Sequence, residues 1–135
     1  MRETKSTWVM RSSTSEEPWG TEVTWGCFPH IHGRLLRISA GKRTSLKLYP
    51  TKDEFFFVLK GDVEVQRGDA MTIEDPAEHP YCFDVLHPGA VLAVQSECPY
   101  RFKALTDVEL IEVGSKLHDA PVRFADDFGR VIDAL

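Results

Sequence analysis

Short β-type runs, each ended by glycine, proline or aspartate, follow one another along most of this chain. From Pro18 onward ten of them occur at short intervals: 21–27, 34–40, 44–49, 54–60, 62–66, 69–74, 81–86, 91–95, 100–105 and 108–113. Strands this short and this regularly spaced pack as a sandwich or a barrel. The sequence therefore predicts an all-β fold.

The length and punctuation of the chain also predict its organisation. A chain of 135 residues is the size of one domain with one core. We expect a polar, flexible N-terminal arm over 1–17, a β-barrel over 18–115 and a C-terminal segment over 116–135 that closes over the barrel. Helical spacing occurs only in that last segment, at Phe124, Phe128, Val131 and Leu135, with Gly129 weakening it.

Charge and cysteine content exclude several classes of partner. The chain has 16 Lys and Arg against 21 Asp and Glu, a net charge of −5, and its basic residues are scattered, which argues against nucleic acid. No apolar run approaches the ~18 residues of a membrane-spanning helix, and the N-terminus has no apolar secretion signal. We therefore expect a cytoplasmic protein with no membrane partner. The three cysteines show no CxxC spacing, so neither a disulfide framework nor a thiolate zinc site is indicated.

One stretch resembles a known barrel motif. Residues 41–61 read G-KRTSL-K-L-Y-PTKD-E-FFFVLK-G. The two glycines, the glutamate and every spacing resemble the first motif of the cupin superfamily, G-x5-H-x-H-x4-E-x6-G, with Lys47 and Tyr49 at the two histidine positions. The second cupin motif, G-x5-P-x-G-x2-H, is matched only by its first glycine, Gly89, and Tyr100 takes the place of its histidine. The resemblance implies a single jelly-roll barrel.

Three further stretches resemble the sugar-phosphate isomerase branch of the cupins. This branch includes the type II mannose-6-phosphate isomerases, which are often fused to mannose-1-phosphate guanylyltransferases. The stretches are EPWG at 17–20, TSLKLY at 44–49 and VRFADDFGR at 122–130, similar to K/R-P-W-G, S-L-Q-x-H and V-R-F-E-D-x-Y-G-R. The resemblance implies a small carbohydrate-related ligand, a sugar or a sugar phosphate, in the barrel.

Of the residues that this resemblance places at the metal site, only Glu54 is an ordinary metal ligand. The family holds its metal with Gln, His, Glu and His, and the matching positions here are Lys47, Tyr49, Glu54 and Tyr100. An ammonium has no lone pair to give and a neutral phenol is a poor ligand. We therefore expect no metal and no other cofactor.

These four positions remain the candidate catalytic residues. Side chains alternate along a strand, so Lys47 and Tyr49 share one face and Glu54 begins the inner face of the next strand. We expect a Lys47–Glu54 ion pair with the hydroxyls of Tyr49 and Tyr100 nearby. In one interpretation these groups move a proton on a sugar without a metal. In the other they fill a former metal site and only hold the barrel closed.

Four arginines are candidates for binding a phosphate, because a guanidinium fork matches phosphate oxygens. They are Arg43, Arg101, Arg123 and Arg130. The alternative is that they form surface ion pairs with Asp126 and Asp127. Trp19 and Trp25 are candidates for stacking on a sugar ring, the alternative being ordinary core packing.

The sequence also makes predictions about two smaller groups. His30 and His32 form an H-x-H pair, which we place in a loop at the barrel rim and interpret as unrelated to a metal. In the run 55–57, Phe56 should face the barrel interior while Phe55 and Phe57 face outward. Since cupins commonly associate through such sheets, we expect a homodimer.

Taken together, the sequence predicts a cupin-like protein that binds a small carbohydrate-related molecule without a metal. Two alternatives stay open. The barrel is a non-catalytic binding or interaction module with a filled site, or it is a metal-free sugar isomerase or epimerase.

Overall fold

Eleven strands make up the regular structure of the chain. The computed structural model describes residues 4–115, 119–130 and 132. The strands are β1 (Ser13–Glu17), β2 (Gly20–Phe28), β3 (Ile31–Ile38), β4 (Leu46–Leu48), β5 (Glu54–Lys60), β6 (Val63–Arg67), β7 (Cys82–Leu86), β8 (Val91–Val94), β9 (Tyr100–Ala104), β10 (Val108–Gly114) and β11 (Val122–Ala125). Among the described residues there is no helix long and apolar enough to cross a membrane.

The strands form two antiparallel sheets. One has the order β1-β2-β3-β10-β5-β8, and the other has the order β11-β4-β9-β6-β7. Their inner faces contribute to one shared apolar core. The predicted all-β fold is confirmed. From β3 onward successive strands alternate between the sheets, except that β6 and β7 are neighbours in the smaller sheet.

The core follows the period-2 alternation of the strands. On β5, Phe56 is buried while Phe55 is 60% exposed and Phe57 40% exposed, as predicted. Phe56, Tyr100 and Phe102 pack ring against ring, with centroids 4.9 to 5.7 Å apart. Such aromatic contacts stabilise the core beyond the burial of their area alone. This cluster is part of the apolar core that the two sheets share.

The run 69–74, predicted as a strand, forms turns instead. The Asp69 side chain accepts a hydrogen bond from the backbone N–H of Met71 at 2.8 Å, and the Thr72 hydroxyl accepts one from the N–H of Asp69, also at 2.8 Å. Side chains that bond to nearby backbone groups in this way compete with strand pairing. The residue composition of the run, which favours a strand, gives no sign of these side-chain hydrogen bonds.

Both ends of the chain contain strands that the sequence did not predict. Residues Ser13–Glu17, at the end of the expected flexible arm, form β1 and pair with β2. In the C-terminal segment, β11 replaces the expected helical turn and pairs with β4. Val131 and Leu135, part of that helical pattern, lie outside the described residues. Edge pairing satisfies the backbone of both segments although neither buries much apolar surface.

Candidate functional site

A polar cavity of about 260 Å³ opens at one end of the barrel. Its wall mixes cationic, anionic and phenolic side chains with aromatic rings. These are Glu17, Trp19, Glu22, Arg34, Lys47, Tyr49, Lys52, Phe56, Tyr100, Phe102, Glu112, Asp119, Arg123 and Arg130. A concave site of this kind, with convergent polar groups, is where a small molecule would bind.

One row of the smaller sheet supplies part of the wall. Lys47 of β4 lies opposite Tyr100 of β9 on one side and opposite Arg123 of β11 on the other. Directly opposite residues of neighbouring strands point to the same face of a sheet. The β4 stretch therefore brings together Lys47, Tyr100 and Arg123, three of the residues that the sequence selected.

Glu54 forms its ion pair with a different lysine from the one expected. The Tyr100 hydroxyl donates a hydrogen bond to Glu54 Oε1 at 2.6 Å. The ammonium 3.2 Å from Glu54 Oε2 belongs to Lys52, and both side chains are almost fully buried. Lys47 Nζ lies instead over the Tyr100 ring, 5.2 Å from its centroid. The predicted Lys47–Glu54 pair is therefore wrong, and Lys52 takes that place.

The larger sheet supplies His32 and Glu112. Gly114 of β10 lies between His32 of β3 and Glu54 of β5. Glu112 lies two residues before Gly114 on the same inner face, and its Oε2 is 3.5 Å from Nη1 of Arg34. His32, predicted to be in a rim loop, is instead a strand residue with 1% exposure. His32, Glu54 and Glu112 each offer a ligand atom, and these atoms lie within 4.8 Å of one another.

The cavity brings the pKa values of two groups in its wall close to neutrality, one by lowering it and one by raising it. Burial lowers the pKa of Lys47 to about 8, against the opposing effect of Glu54 and Glu112. Burial raises the pKa of Glu112 to about 8, with Glu54 contributing in the same direction. Groups with pKa values near the working pH are suited to donating and accepting protons. Glu112 was not selected as a candidate residue in the sequence analysis.

Three further groups of the site, His32, Tyr49 and Tyr100, are held in their neutral forms. Burial, together with the charges of Lys52 and Arg34, lowers the pKa of His32 to about 4. Burial and the nearby Glu54 raise the pKa of both Tyr49 and Tyr100 well above its ordinary value. The two phenols are therefore hydrogen-bond donors and the imidazole is uncharged at pH 7.

The positions that the cupin resemblance places at the metal site do not fit a metal. Glu54 offers the only carboxylate among them, and its two oxygens already contact the Tyr100 hydroxyl and the Lys52 ammonium. Tyr49 and Tyr100 have raised pKa values, so their phenolate forms are disfavoured. One engaged carboxylate, two neutral phenols and a lysine make a poor donor set for a divalent ion.

The four candidate arginines divide into two pairs. Arg123 and Arg130 line the cavity, and Arg130 also holds Asp126 through a contact of 2.8 Å. Arg43 binds both carboxylate oxygens of Asp127 at 2.6 and 2.7 Å, and Arg101 Nη2 lies 3.6 Å from the same carboxylate. The structure thus uses Arg43 and Arg101 to attach the C-terminal segment, not to build the cavity wall.

The two candidate tryptophans are also separated. Trp19 is buried in the core and lines the polar cavity. Trp25 packs over Gly33 on the outside of the larger sheet, where it borders an apolar cavity of about 410 Å³ with Trp8, Met10, Phe28 and Ile31. Only Trp19 is placed to contact a ligand in the barrel.

Three residues of the site were missed because their sequence signals are weak. Lys52 lies in the irregular link between β4 and β5, where strand alternation gives no direction. Glu112 shares β10 with Ile111 and Val113, so apolar residues occur on both faces of that strand. For His32, the signal that could have found it is the alternation His32, Arg34, Leu36, Ile38, all on the inner face of β3.

Comparison with solved structures identifies the fold to which this chain belongs. The chain resembles KdgF from Halomonas sp. (TM-score 0.64, 16% identity, covering 76% of this chain and 86% of that one). It resembles CapF in complex with the inhibitor 3-isopropenyl-tropolone (0.70, 14%, 82% and 32%) and the formate complex of Lactobacillus farciminis oxalate decarboxylase (0.70, 17%, 88% and 36%). No protein-family model and no curated protein matches the chain.

Two antiparallel sheets around a core, with a polar cavity at one end, define a jelly-roll barrel. These neighbours are cupin-fold proteins, and the chain accordingly has the cupin fold. It spans about a third of the length of CapF and of the oxalate decarboxylase, 32% and 36%. At identities of 14 to 17% the likeness shows the fold alone.

Proposed function

We propose that this protein binds a small anionic carbohydrate-related molecule in the barrel cavity, using protein groups alone. The observation that carries the proposal is that Lys47, Tyr49 and Tyr100 converge on an open space of about 260 Å³ and do not fill it. A former metal site closed by side chains would leave no such space. The volume, just below the ~300 to 1,000 Å³ usual for ligand pockets, suits a molecule of about monosaccharide size.

The chemistry of the wall supports this class of ligand. Sugar hydroxyls need donors and acceptors at short spacing, which the phenols and carboxylates of the wall provide. The ring of Trp19 offers an apolar face for a sugar ring. Lys47, Arg123 and Arg130 add positive charge for a phosphate or carboxylate group. The resemblance of EPWG and VRFADDFGR to the sugar-phosphate isomerase branch favours a sugar phosphate within this class.

A thermal-shift and calorimetric screen tests this proposal. We expect a hexose phosphate or a sugar acid to raise the melting temperature, because a ligand that binds only the folded state stabilises it. EDTA should leave the shift unchanged. Arg123→Ala should weaken binding about tenfold or more, as expected for loss of a charge-assisted hydrogen bond.

Arg67→Ala is the matched control for this screen. Arg67 is exposed and pairs with Asp84 at 2.7 Å on the outside of the barrel, so its loss should leave affinity unchanged. Absence of a shift with every sugar phosphate and sugar acid would overturn the ligand proposal. That result would favour the alternative of a protein-interaction module.

A second candidate function is metal-free isomerisation or epimerisation of that ligand. It is favoured by Lys47 and Glu112, which line the cavity from different sheets and whose pKa values of about 8 both lie near neutrality. Neutral Lys47 would accept the proton from a carbon next to a carbonyl and return it to the reacting carbons. Protonated Glu112 would donate its proton to the carbonyl oxygen and recover it as the carbonyl re-forms, so protons balance over the cycle.

Solvent exchange tests the second candidate without knowledge of the product. Incubation of the protein with a sugar phosphate in D2O should place deuterium at the carbon next to the carbonyl. NMR measures the rate of this incorporation. Lys47→Met should reduce the rate at least 100-fold, the lower range for loss of a general base. Binding without exchange in the wild-type protein would reject the enzyme and leave the binding proposal intact.

A further inference from the structure

A buried lysine lies at the floor of the cavity, in the link between β4 and β5. Lys52 is 2% exposed, its Nζ is 3.2 Å from Glu54 Oε2, and the same ammonium lies 4.3 Å from the centroid of the Tyr49 ring. Burying an ammonium is costly unless opposite charge and electron-rich groups surround it. The Glu54 carboxylate and the Tyr49 ring supply that surrounding.

Three potential metal ligands meet beside this ammonium. They are His32, Glu54 and Glu112, all buried, with ligand atoms within 4.8 Å of one another. Neither ring nitrogen of His32 has a hydrogen-bond partner, and Glu54 Oε2 makes no hydrogen bond of good geometry despite its contact with Lys52. Buried polar atoms are normally satisfied. These three atoms therefore point to a place arranged for a cation.

Gly114 shows that His32 and Lys52 share one small volume. A Cβ built at Gly114 would overlap Nε2 of His32 and would lie 2.7 Å from Cε of Lys52. The side chains of His32 and Lys52 thus occupy the space above Gly114, the inner-face position of β10 that has no side chain of its own. The ammonium and the imidazole reach the carboxylates of Glu54 and Glu112 over this glycine.

We propose that His32, Glu54 and Glu112 form a divalent-cation site in which the Lys52 ammonium takes the place of the ion. One imidazole and two carboxylates suit Zn²⁺ or Mn²⁺. Ligand atoms arranged tetrahedrally on one such ion, at bonds of ~2.0–2.2 Å, lie about 3.3 to 3.6 Å apart. Side-chain rotations that bring the three ligand atoms together from within 4.8 Å, a contraction of up to about 1.5 Å, would therefore complete the site.

This site differs from the ligand positions implied by the cupin resemblance. It shares only Glu54 with them and draws its other ligands from β3 and β10 of the larger sheet. It also does not depend on the proposed sugar ligand. Arg34, whose Nη1 is 3.5 Å from Glu112 Oε2 and 3.0 Å from Glu22 Oε1, would remain as the neighbour of the bound ligand set.

Removal of the ammonium tests the proposal. Purified Lys52→Ala protein, titrated with ZnCl2 and separately with MnCl2, should bind about one equivalent of one of these ions at least 100-fold more tightly than the wild type. The double variant Lys52→Ala/His32→Ala should lose that gain. Lys47→Ala, which removes a cavity lysine outside the group, should bind no better than the wild type.

Two outcomes would overturn it. One is a folded Lys52→Ala protein, shown by circular dichroism, that binds neither ion better than the wild type. The other is a gain that survives the loss of His32, which would place the ion on exposed groups such as His79 or Cys82. If Lys52→Ala does not fold, Lys52→Met, which keeps the length of the side chain without its charge, is subject to the same titrations and the same criteria.

Discussion

Tyr100 and Glu54 are the residues on which the polar end of the barrel is built. The hydrogen bond of 2.6 Å between them joins β9 of one sheet to β5 of the other. Because burial and the nearby Glu54 raise the pKa of Tyr100 well above its ordinary value, its hydroxyl is protonated at neutral pH and donates this hydrogen bond. This contact fixes one oxygen of Glu54, and Lys52 holds the other.

Tyr100→Phe should lower the free energy of unfolding by about 1 to 3 kcal/mol, the cost of leaving a buried acceptor without its donor. Urea unfolding at pH 7 measures the change. Tyr81→Phe is the matched control, because Tyr81 lies outside the cavity wall, and we expect it to change stability by less than about 0.5 kcal/mol. Equal effects of the two substitutions would contradict the role given to the Tyr100 hydroxyl.

Lys47 should make stability depend on pH in the alkaline range. Its pKa is about 8 in the folded protein and 10.5 as the ordinary value. Between these two values the unfolded chain binds more protons, so this lysine's contribution to stability rises as the pH increases from 8 to about 10.5. Relative to Lys47→Met, the wild type should gain about 1 to 3 kcal/mol over that interval.

Paired urea unfolding curves of the wild type and Lys47→Met at pH 7.5 and pH 10 test this dependence. Glu54, Glu112, Arg123 and Arg130, whose charges act on the lysine, are present in both proteins. A constant difference in stability across the two pH values would show that Lys47 keeps its ordinary pKa in the folded state.

At the scale of the element, β10 determines whether the site can assemble. It lies between β3 and β5 in the larger sheet, and its Gly114 leaves room for the side chains of His32 and Lys52. Any side chain there would displace one of them. The glycine is therefore required by the close approach of its neighbours and not by its backbone angles.

Gly114→Ala should destabilise the protein by about 1 to 3 kcal/mol, the usual cost of overpacking a filled interior. Gly26→Ala in the same sheet is the matched control, since a Cβ there would meet its nearest neighbour, the backbone nitrogen of Gly33, at an ordinary 3.8 Å. Thermal unfolding of both variants measures the difference. If Gly114→Ala unfolds at the same temperature as Gly26→Ala, the crowding at β10 is not real.

The sequence predicted elements well where strand alternation was clean and failed where it was not. On β5 the alternation placed Glu54 and Phe56 inward, and the structure agrees. Lys52 could not be placed because its link has no regular period. The run 69–74 was mistaken for a strand because the side chains of Asp69 and Thr72 accept hydrogen bonds from nearby backbone N–H groups and turn the chain. Side-chain hydrogen bonds to the backbone are a local effect that composition does not report.

At the scale of the whole molecule, the outer face of the larger sheet is unusually apolar. Phe55, Phe57, Leu59 and Val91 on β5 and β8 are each at least 40% exposed. Contiguous exposed apolar surface of this kind commonly marks an association site. A second copy of this chain is its expected occupant, because a two-fold interface sets the same sheet face against itself.

Phe55→Glu should convert a homodimer into a monomer, because it sets a charge against its symmetry mate in an apolar interface. Light scattering coupled to size exclusion at micromolar concentration gives the mass. Phe83→Glu is the matched control, since Phe83 is equally exposed, at 61%, but lies on β7 of the other sheet. A monomeric mass for the wild-type protein would contradict the predicted homodimer.

The position of Lys52 has a consequence for how this barrel comes into being. Its positive charge beside Glu54 is covalently part of the polypeptide. Every chain that folds therefore has one such charge for its one Glu54 carboxylate. The charge that Lys52 places beside Glu54 is therefore present in every folded copy of the chain without the uptake of an inorganic ion.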